Sequence, residues 1–321
     1  MAKRKTGPPK KAGRRPPRKS NQKQQIIKAF AATAILIALV ILAAAITHYM
    51  IIGRQLRPPE NKKAVKAPAV HKIPAFEIYP KEEITEKPIP KPKRPFRKKF
   101  PTVSIIIDDI GYHRKLAEKL ILLDNNLTFS ILPYAPHRKR ILRFAEKEGA
   151  ETMLHLPMEP DEYPKADPGP GALLSTMSPD ELIDQLEKHL AAVPSVKGVN
   201  NHMGSKMTAL STKMYQIFSI LKKRNLYFID SRTSGESLCR PSARLLMLPF
   251  AQRDVFLDHV QEPEFVRKQL QKLIRIALMT GEAIGIGHPY QVTYQVLLDE
   301  LPKLREKVKL VPASEIVHIP G

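Results

Sequence analysis

Metal-binding and acid–base side chains recur at the ends of predicted strands throughout residues 101–321. The clearest case is SIIIDDIG, residues 104–111, in which an apolar strand pattern runs directly into two adjacent aspartates. Counting this one, six of the eight apolar runs are followed by such residues, namely Asp108, Asp109, His155, Asn201, His202, Asp230, Arg232, Asp258, His259 and His288. Because the carboxyl ends of parallel strands gather at one edge of a sheet, we predict that a shared site is built from members of this set.

The residue types in this set suit a divalent metal ion. The chain has a single cysteine, Cys239, so a thiolate site is excluded and the ligands must be carboxylate and imidazole. Zinc is the favoured ion, and cobalt, manganese and iron accept the same ligands. One carboxylate and two imidazoles leave a coordination position for water, whose proton a neighbouring carboxylate can accept. The pair Asp108–Asp109 therefore predicts one metal ligand and one general base.

The segments that carry these residues alternate between strand and helix patterns. The strand candidates are residues 103–107, 127–132, 151–154, 197–200, 226–229, 255–257, 283–286 and 308–311. Helical patterns lie between them, and the sequence Ser178-Pro179-Asp180-Glu181 has the form of a capping box at the start of one helix. This alternation predicts an α/β fold with a parallel sheet, either open or closed into a barrel.

Five motifs in this order resemble the divergent polysaccharide deacetylase family, a branch of the NodB-homology carbohydrate esterases: SIIIDDIG, MLHLPMEP, NNHMGS, FIDSRTS and GIGHP. The resemblance covers about residues 101–318. It implies a distorted (β/α) barrel, a divalent metal bound through an Asp-His-His set, and removal of N- or O-acetyl groups from sugars. It also implies that Asp108 is the catalytic base, that Asp109 and His155 bind the metal, and that His288 is the general acid.

The sequence departs from the family pattern at the second histidine of its His-x-x-x-His motif. Four residues after His155 stands Glu159 instead. We predict that His202 is the replacement third ligand, and Glu159 is the alternative. Asp230 is predicted to be a further catalytic residue, and a simple pairing with Arg232 is the alternative.

Two features indicate the surroundings of the site. The loop at residues 157–175 is rich in proline and glycine, which predicts a rim segment over the site, with a disordered insert as the alternative. The chain has no tryptophan and few aromatic residues, so a long stacking groove for polysaccharide is not indicated. The other histidines are expected on the surface: His113, His137, His189, His259 and His318.

The net charge of +22 is concentrated before the predicted domain. Residues 1–100 contain 25 Lys and Arg and only 5 acidic residues, so the remainder is close to neutral and no nucleic-acid partner is expected for it. Residues 29–53 contain no Lys, Arg, Asp or Glu and follow 11 basic residues with no acidic one. This stretch exceeds the ~20 residues that cross a hydrocarbon core, so we predict one transmembrane helix with a cytoplasmic N-terminus.

Four segments follow from these patterns. We predict a basic cytoplasmic tail at 1–28, a transmembrane helix at 29–53, a Pro/Lys-rich linker at 54–100 and a catalytic domain at 101–321. The predicted location is the bacterial inner membrane, with the domain on the periplasmic side.

The function expected from the sequence is metal-dependent removal of acetyl groups from cell-envelope carbohydrate, with an acetylated glycan as the substrate. A catalytically inactive barrel that binds envelope glycan or a wall-remodelling partner is the main alternative. A glycosidase that uses Asp108 and Asp230 as its carboxylate pair is a third hypothesis.

Overall fold

The computed structural model describes residues 100–321 as an α/β fold. Its strands are β1 (Thr102–Ile110), β2 (Thr128–Ile131), β3 (Glu151–Met158), β4 (Gly198–Met203), β5 (Tyr227–Asp230), β6 (Phe250–Gln252), β7 (Val255–Phe256), β8 (Glu282–Gly287) and β9 (Lys309–Leu310). Its α-helices are α1 (Arg114–Leu123), α2 (Arg138–Glu148), α3 (Pro179–Ala192), α4 (Ser205–Thr208), α5 (Ser211–Lys223), α6 (Cys239–Leu246), α7 (Pro263–Thr280) and α8 (Gln291–Arg305). A short 3-10 helix spans Ala313–Glu315.

The predicted tail, membrane span and linker lie outside the described residues, apart from Phe100 at the end of the linker. Within residues 100–321, no helix has the length and hydropathy that crossing a membrane requires.

The strands form one sheet in the order β6-β5-β4-β3-β2-β1-β8-β7, and β9 pairs with the start of β1. All of these strand pairs are parallel. A parallel connection needs a crossover, and most of the crossovers here contain a helix, as in β1-α1-β2-α2-β3. The predicted parallel α/β architecture is therefore confirmed.

The two edge strands of the sheet are consecutive in the chain. Only Arg253 and Asp254 separate β6 from β7. The Arg253 N–H donates to the carbonyl of Asp230 on β5, and the Asp254 N–H donates to the carbonyl of Ile284 on β8, each at 2.9 Å. The chain thus passes from one edge of the sheet to the other within two residues, which curves the sheet into a half-barrel.

Successive side chains along each strand point alternately to an outer and an inner face of the sheet. The outer face packs against the helices in the larger of two apolar cores. The smaller core lies within the curve of the sheet and consists of Ile106, Met153, Tyr227, Ile229, Phe256, Ile284, Ile286, Ala313 and Ile316. Because side chains two residues apart share a face, the inner face continues from Ile106 to Asp108, from Met153 to His155 and from Ile286 to His288. The inner apolar core therefore lies directly beneath the predicted site.

The loop after β3 is anchored to that strand. The Leu173 N–H donates to the carbonyl of Pro157, and the Glu159 N–H donates to the carbonyl of Leu173, both at 2.9 Å. The loop ends at the predicted capping box, in which Glu181 N–H donates to Ser178 Oγ at 3.3 Å and Ser178 N–H donates to the Glu181 carboxylate at 2.8 Å. The loop is thus held at the end of β3, as expected for a rim segment.

The expectation that His189 lies on the surface is wrong. Its side chain is completely buried on the inner side of α3, where Nε2 lies 2.7 Å from the carbonyl oxygen of Gly171 in the rim loop. Its ring also packs against Tyr134, with ring centroids 5.1 Å apart. Burial lowers the pKa of His189 to about 4, so the neutral imidazole donates its Nε2 proton to Gly171. His189 therefore fastens the rim loop to α3.

We expect the stability of the protein to fall between pH 7 and pH 5 because of His189. The unfolded chain protonates this imidazole near pH 6.5, whereas the folded chain does so only near pH 4. Stability is therefore lost as pH falls through this window, by about 2 kcal/mol at pH 5. Urea unfolding at pH 7 and at pH 5 measures the free energy of unfolding. Between these pH values it should fall less in His189→Gln than in the original chain. Equal losses in the two proteins would contradict this assignment.

Candidate metal centre

Asp109, His155 and His202 come together on the inner face of the half-barrel. Asp109 Oδ1 lies 3.3 Å from His155 Nε2 and 3.1 Å from His202 Nδ1, and the two imidazole nitrogens are 3.0 Å apart. Two ligands at the usual bond lengths from a tetrahedral Zn²⁺ ion are separated by about 3.3 Å. The three atoms therefore have the mutual spacing of a ligand set.

The protonation of these atoms also suits a cation. His155 Nδ1 lies 2.9 Å from Asn200 Oδ1 and donates to it, so His155 Nε2 presents a lone pair to the cluster. Asp109 Oδ1 is a buried carboxylate oxygen whose near neighbours are the imidazole nitrogens of His155 and His202, and neither contact has good hydrogen-bond geometry. Three electron-pair donors thus converge with at most one proton between them, and a divalent ion among them would satisfy all three.

The two histidines are positioned by the register of neighbouring strands. His155 on β3 pairs with Asn200 on β4, and Pro157 pairs with His202. Side chains at Asn200 and His202 share one face of β4, and that face is the one that His155 occupies on β3. The predicted strands ended at 154 and 200, which was too early, because the ladder between β3 and β4 continues to Met158 and Met203.

Asp109 reaches the cluster through an irregularity in β1. The register of β1 with β2 shifts between Ile107 and Ile110, and Asp109 has a left-handed backbone with φ of 53°. In a regular strand Asp109 would point away from Asp108, but the shift lets both carboxylates approach the same histidine. Asp108 Oδ2 lies 3.8 Å from His155 Nε2. Left-handed conformations of residues other than glycine are strained and concentrate at functional sites.

Asn200 links the second aspartate to the cluster. Its amide nitrogen donates to both oxygens of Asp108, at 2.8 and 3.0 Å, and contacts Ser231 Oγ at 3.2 Å. Its amide oxygen accepts from His155 Nδ1 and from Ser130 Oγ. The carboxylate can only accept, which defines the orientation of the amide. Asn200 and Ser130 were not predicted as site residues, because their role depends on neighbouring strands rather than on a local motif.

The electrostatics of the cluster favour an ionised Asp109. Burial by itself raises the pKa of this carboxyl, but the adjacent imidazoles of His202 and His155 outweigh it and hold the pKa well below its usual range. Burial and then the negative charge of Asp109 raise the pKa of Tyr112, which places that phenol within the field of the cluster.

His288 lies at the end of β8, beside β1. The pairing of Ile107 with Gly287 brings the following residues, Asp108 and His288, to the same edge of the sheet. His288 Nδ1 lies 2.8 Å from Asp258 Oδ1, so the imidazole donates to this carboxylate. The other oxygen of Asp258 accepts from the His288 N–H and from Thr293 Oγ1, each at 2.6 Å. The sequence placed Asp258 among the candidate site residues without a specific role, and its contacts in the structure orient His288.

Asp230 has contacts of a different kind. Its carboxylate accepts from the Arg232 N–H at 2.8 Å and from Ser237 Oγ at 2.6 Å, so it organises the loop that follows β5. Burial raises the pKa of Asp230 despite these hydrogen bonds. The metal-binding cluster found within residues 100–321 does not include it.

Glu159, the alternative third ligand, faces away from the cluster toward α4. Its carboxylate forms an ion pair with Lys206 at 2.7 Å and also accepts from the Ser175 N–H. Burial by itself raises the pKa of Glu159, but Lys206 and Ser175 lower it overall. The structure therefore brings His202, and not Glu159, to Asp109 and His155.

The remaining histidines of residues 100–321 lie outside the cluster. As expected, the side chains of His113, His137 and His318 are exposed. His259 is half-buried rather than fully on the surface. Its ring packs edge-to-face against the Phe265 ring, with ring centroids 4.5 Å apart.

The fold and the cluster define an α/β protein with a candidate metal centre at the carboxyl edge of a parallel sheet. The family model described as divergent polysaccharide deacetylase matches residues 105–317. The chain belongs to this family, which confirms the resemblance of its motifs.

Two bacterial proteins and one crystal structure are similar to about two thirds of the chain. The Escherichia coli K12 protein named uncharacterized protein YibQ is 33% identical over 218 residues, 68% of this chain and 68% of that protein. A Haemophilus influenzae protein is 33% identical over 209 residues, 65% of this chain and 74% of its own length. The crystal structure of ATU2773 from Agrobacterium tumefaciens covers 70% of this chain and 92% of its own, with 26% identity and a TM-score of 0.66.

We expect metal content to divide the site residues into two groups. Asp109→Asn, His155→Ala and His202→Ala should lose stoichiometric metal, because each removes one of three ligands. Asn is used at Asp109 because it tolerates the left-handed backbone. Asp108→Asn should retain the metal, since its carboxylate lies outside the cluster. Elemental analysis of the purified full-length variants measures this directly.

Glu159→Gln is the matched control for the third ligand. It should retain the metal, because the Glu159 carboxylate is paired with Lys206. If Glu159→Gln loses the metal while His202→Ala keeps it, the third ligand is Glu159 and the assignment of His202 is wrong.

Proposed function

We propose that the chain is a membrane-anchored, metal-dependent hydrolase that removes acetyl groups from carbohydrate of the cell envelope. Membership of the divergent polysaccharide deacetylase family supports this proposal. The observation that carries it is the different placement of two adjacent carboxylates. Asp109 belongs to the candidate metal cluster, whereas Asp108 lies beside it. A hydrolase needs a second carboxylate in this position to accept a proton, and a binding protein does not.

Asp109, His155 and His202 would hold the ion, for which zinc is the favoured choice. A bound divalent ion supplies Lewis acidity, which polarises the acetyl carbonyl and makes an attacking water easier to deprotonate.

Asp108 and His288 would move the protons of the reaction. Asp108 accepts the proton of the attacking water, and the two hydrogen bonds from Asn200 keep its carboxylate in place. His288 donates a proton to the departing nitrogen or oxygen of the sugar. Its Nδ1 is bound to Asp258, so Nε2 is the atom that exchanges this proton. One proton is taken and one is delivered, and the products are acetate and the deacetylated sugar.

We assign Asp230 a positioning role in place of direct chemistry. Its carboxylate is bound to the Arg232 N–H and to Ser237 Oγ, and these bonds shape the loop that begins with Ser231, a neighbour of Asn200. The same contacts disfavour a glycosidase that uses Asp108 and Asp230 as its carboxylate pair.

An inactive glycan-binding barrel is the second candidate. It is favoured by Glu159, which stands where the family pattern has a second histidine. His202 at the cluster argues against it, because the chain supplies a third ligand from another strand.

We expect Asp108→Asn to lower kcat for acetate release by ~10²–10⁴-fold, because general-base assistance is lost. The metal should remain bound, which separates loss of the base from loss of the site. Acetate released from acetylated chitooligosaccharides by the full-length protein in detergent is the measurement. Asp184→Asn is the control, since Asp184 is an exposed residue of α3 that pairs with Lys188.

The result for the original chain distinguishes the two candidates. A chain that binds the metal and the glycan but releases no acetate from N- or O-acetylated sugars is the inactive barrel. Equal activity of Asp108→Asn and the original chain would remove Asp108 as the base.

We also propose that residues 29–53 anchor the protein in the bacterial inner membrane, with the domain in the periplasm. This rests on the uncharged apolar stretch and the 11 basic residues that precede it.

Alkaline phosphatase fused after Gly321 should be active, because this reporter folds only outside the cytoplasm. The same fusion without residues 29–53 should be inactive. An inactive fusion of the full-length chain, with the protein present in the membrane fraction, would reverse the proposed orientation.

A further inference from the structure

We propose that a groove beside the candidate metal centre binds an anionic group of the glycan, a carboxylate or a phosphate, on the sugar next to the one that is deacetylated. This rests on the proposed function and specifies its substrate class. We call the groove the cationic groove, and its main residues are Tyr112, His113, Arg114, Lys115, His137 and Tyr290. Its volume is about 790 Å³, within the usual size of small-ligand sites.

The cationic groove adjoins the groups proposed to carry out the chemistry. Tyr112 stands three residues after Asp109, at the turn that follows β1. Tyr290 lies two residues after His288, and its ring centroid is 5.6 Å from that of the imidazole. A glycan with one sugar at the metal centre would therefore place its neighbour between these two tyrosines.

The charged side chains that line the cationic groove are all basic. Its lining contains Arg114, Lys115 and two histidines, and among the described residues no aspartate or glutamate lines it. Arg114 is paired with Glu118 at 3.0 Å, so part of its charge is already compensated. Lys115 is exposed and has no ion pair within residues 100–321. A second groove of the same volume, between α2 and α3, contains Glu146 and Glu151 beside its basic residues and does not share this character.

The position of these cations is unfavourable for the fold by itself. Arg114 and Lys115 form the first turn of α1, where the helix dipole favours acidic residues, and α1 has no side-chain cap. The helix α8 also begins at the cationic groove without a side-chain cap and without an acidic first turn. An anion bound between the two helix starts would offset this repulsion.

The test compares two acetylated tetrasaccharides of equal length, chitotetraose and a hyaluronan tetrasaccharide that alternates N-acetylglucosamine with glucuronate. With the full-length protein in detergent, we expect a higher kcat/KM for acetate release from the acidic glycan, and this preference should shrink as ionic strength rises. Lys115→Glu should raise KM for the acidic glycan about threefold to thirtyfold and leave KM for the neutral one within about twofold. A phosphorylated N-acetylglucosamine oligosaccharide, used as a third substrate, distinguishes phosphate from carboxylate as the anion that is recognised.

Lys139→Glu is a closely matched control. Lys139 is the second residue of α2, as Lys115 is of α1, and both follow an arginine and a histidine. Lys139 lines the other groove. Reversing its charge should therefore affect the helix terminus in the same way but leave the preference for the acidic glycan unchanged.

The failure of this inference is distinguishable from failure of the proposed function. Equal kcat/KM for neutral and anionic glycans, or equal effects of Lys115→Glu and Lys139→Glu, would overturn the anionic subsite while the hydrolase stands. If no glycan is hydrolysed, calorimetric binding of the same tetrasaccharides decides the matter. Tighter binding of the anionic glycan that Lys115→Glu abolishes supports the subsite, and equal binding overturns it.

Discussion

The geometry of the site depends on the side-chain amide of Asn200. Its oxygen accepts from His155 and its nitrogen donates to Asp108, and all three side chains are completely buried. An uncharged amide can satisfy an imidazole N–H and an anion together. An aspartate there would repel Asp108, and an apolar residue of the same shape would remove the hydrogen bonds to both buried groups, at a cost of about 1–3 kcal/mol each. The amide reaches both partners because the parallel register sets Asn200 directly beside His155.

The polar site rests on an apolar layer, and the two are built from the same strand faces. Ile106 and Met153 lie below, and two residues further along, Asp108 and His155 lie above. Each large apolar side chain buried in the lower layer contributes about 1.5–3 kcal/mol, which offsets the burial of polar groups above it. Asp109 departs from this period, and its left-handed backbone costs about 1–2 kcal/mol. This strained conformation brings the Asp109 carboxylate to the imidazoles of His155 and His202.

The two sides of the site differ in how tightly they are closed. On the side of β3 and β4, the rim loop is fastened through Glu159 to Lys206 and through Gly171 to His189. On the side of β1 and β8, the loops border the open cationic groove between Tyr112 and Tyr290. Access for a glycan is therefore favoured from the second side. This asymmetry connects the proposed deacetylation to the proposed anionic subsite, since the neighbouring sugar would extend over the basic loops.

The sequence by itself determined the strand–helix alternation and the capping box at Ser178, because these follow from residue types and spacing along a few turns or strand residues. It assigned roles to Asp109 and His155 only through the resemblance of their motifs to a family. It left the choice between His202 and Glu159 open. Only the tertiary structure decided that choice, since the Glu159 carboxylate meets Lys206, 47 residues further along, and the strand register carries His202 to Asp109. The role of Asn200 likewise depends on Asp108, 92 residues away. No local pattern records such contacts, because they form only when strands distant in sequence become neighbours in the sheet.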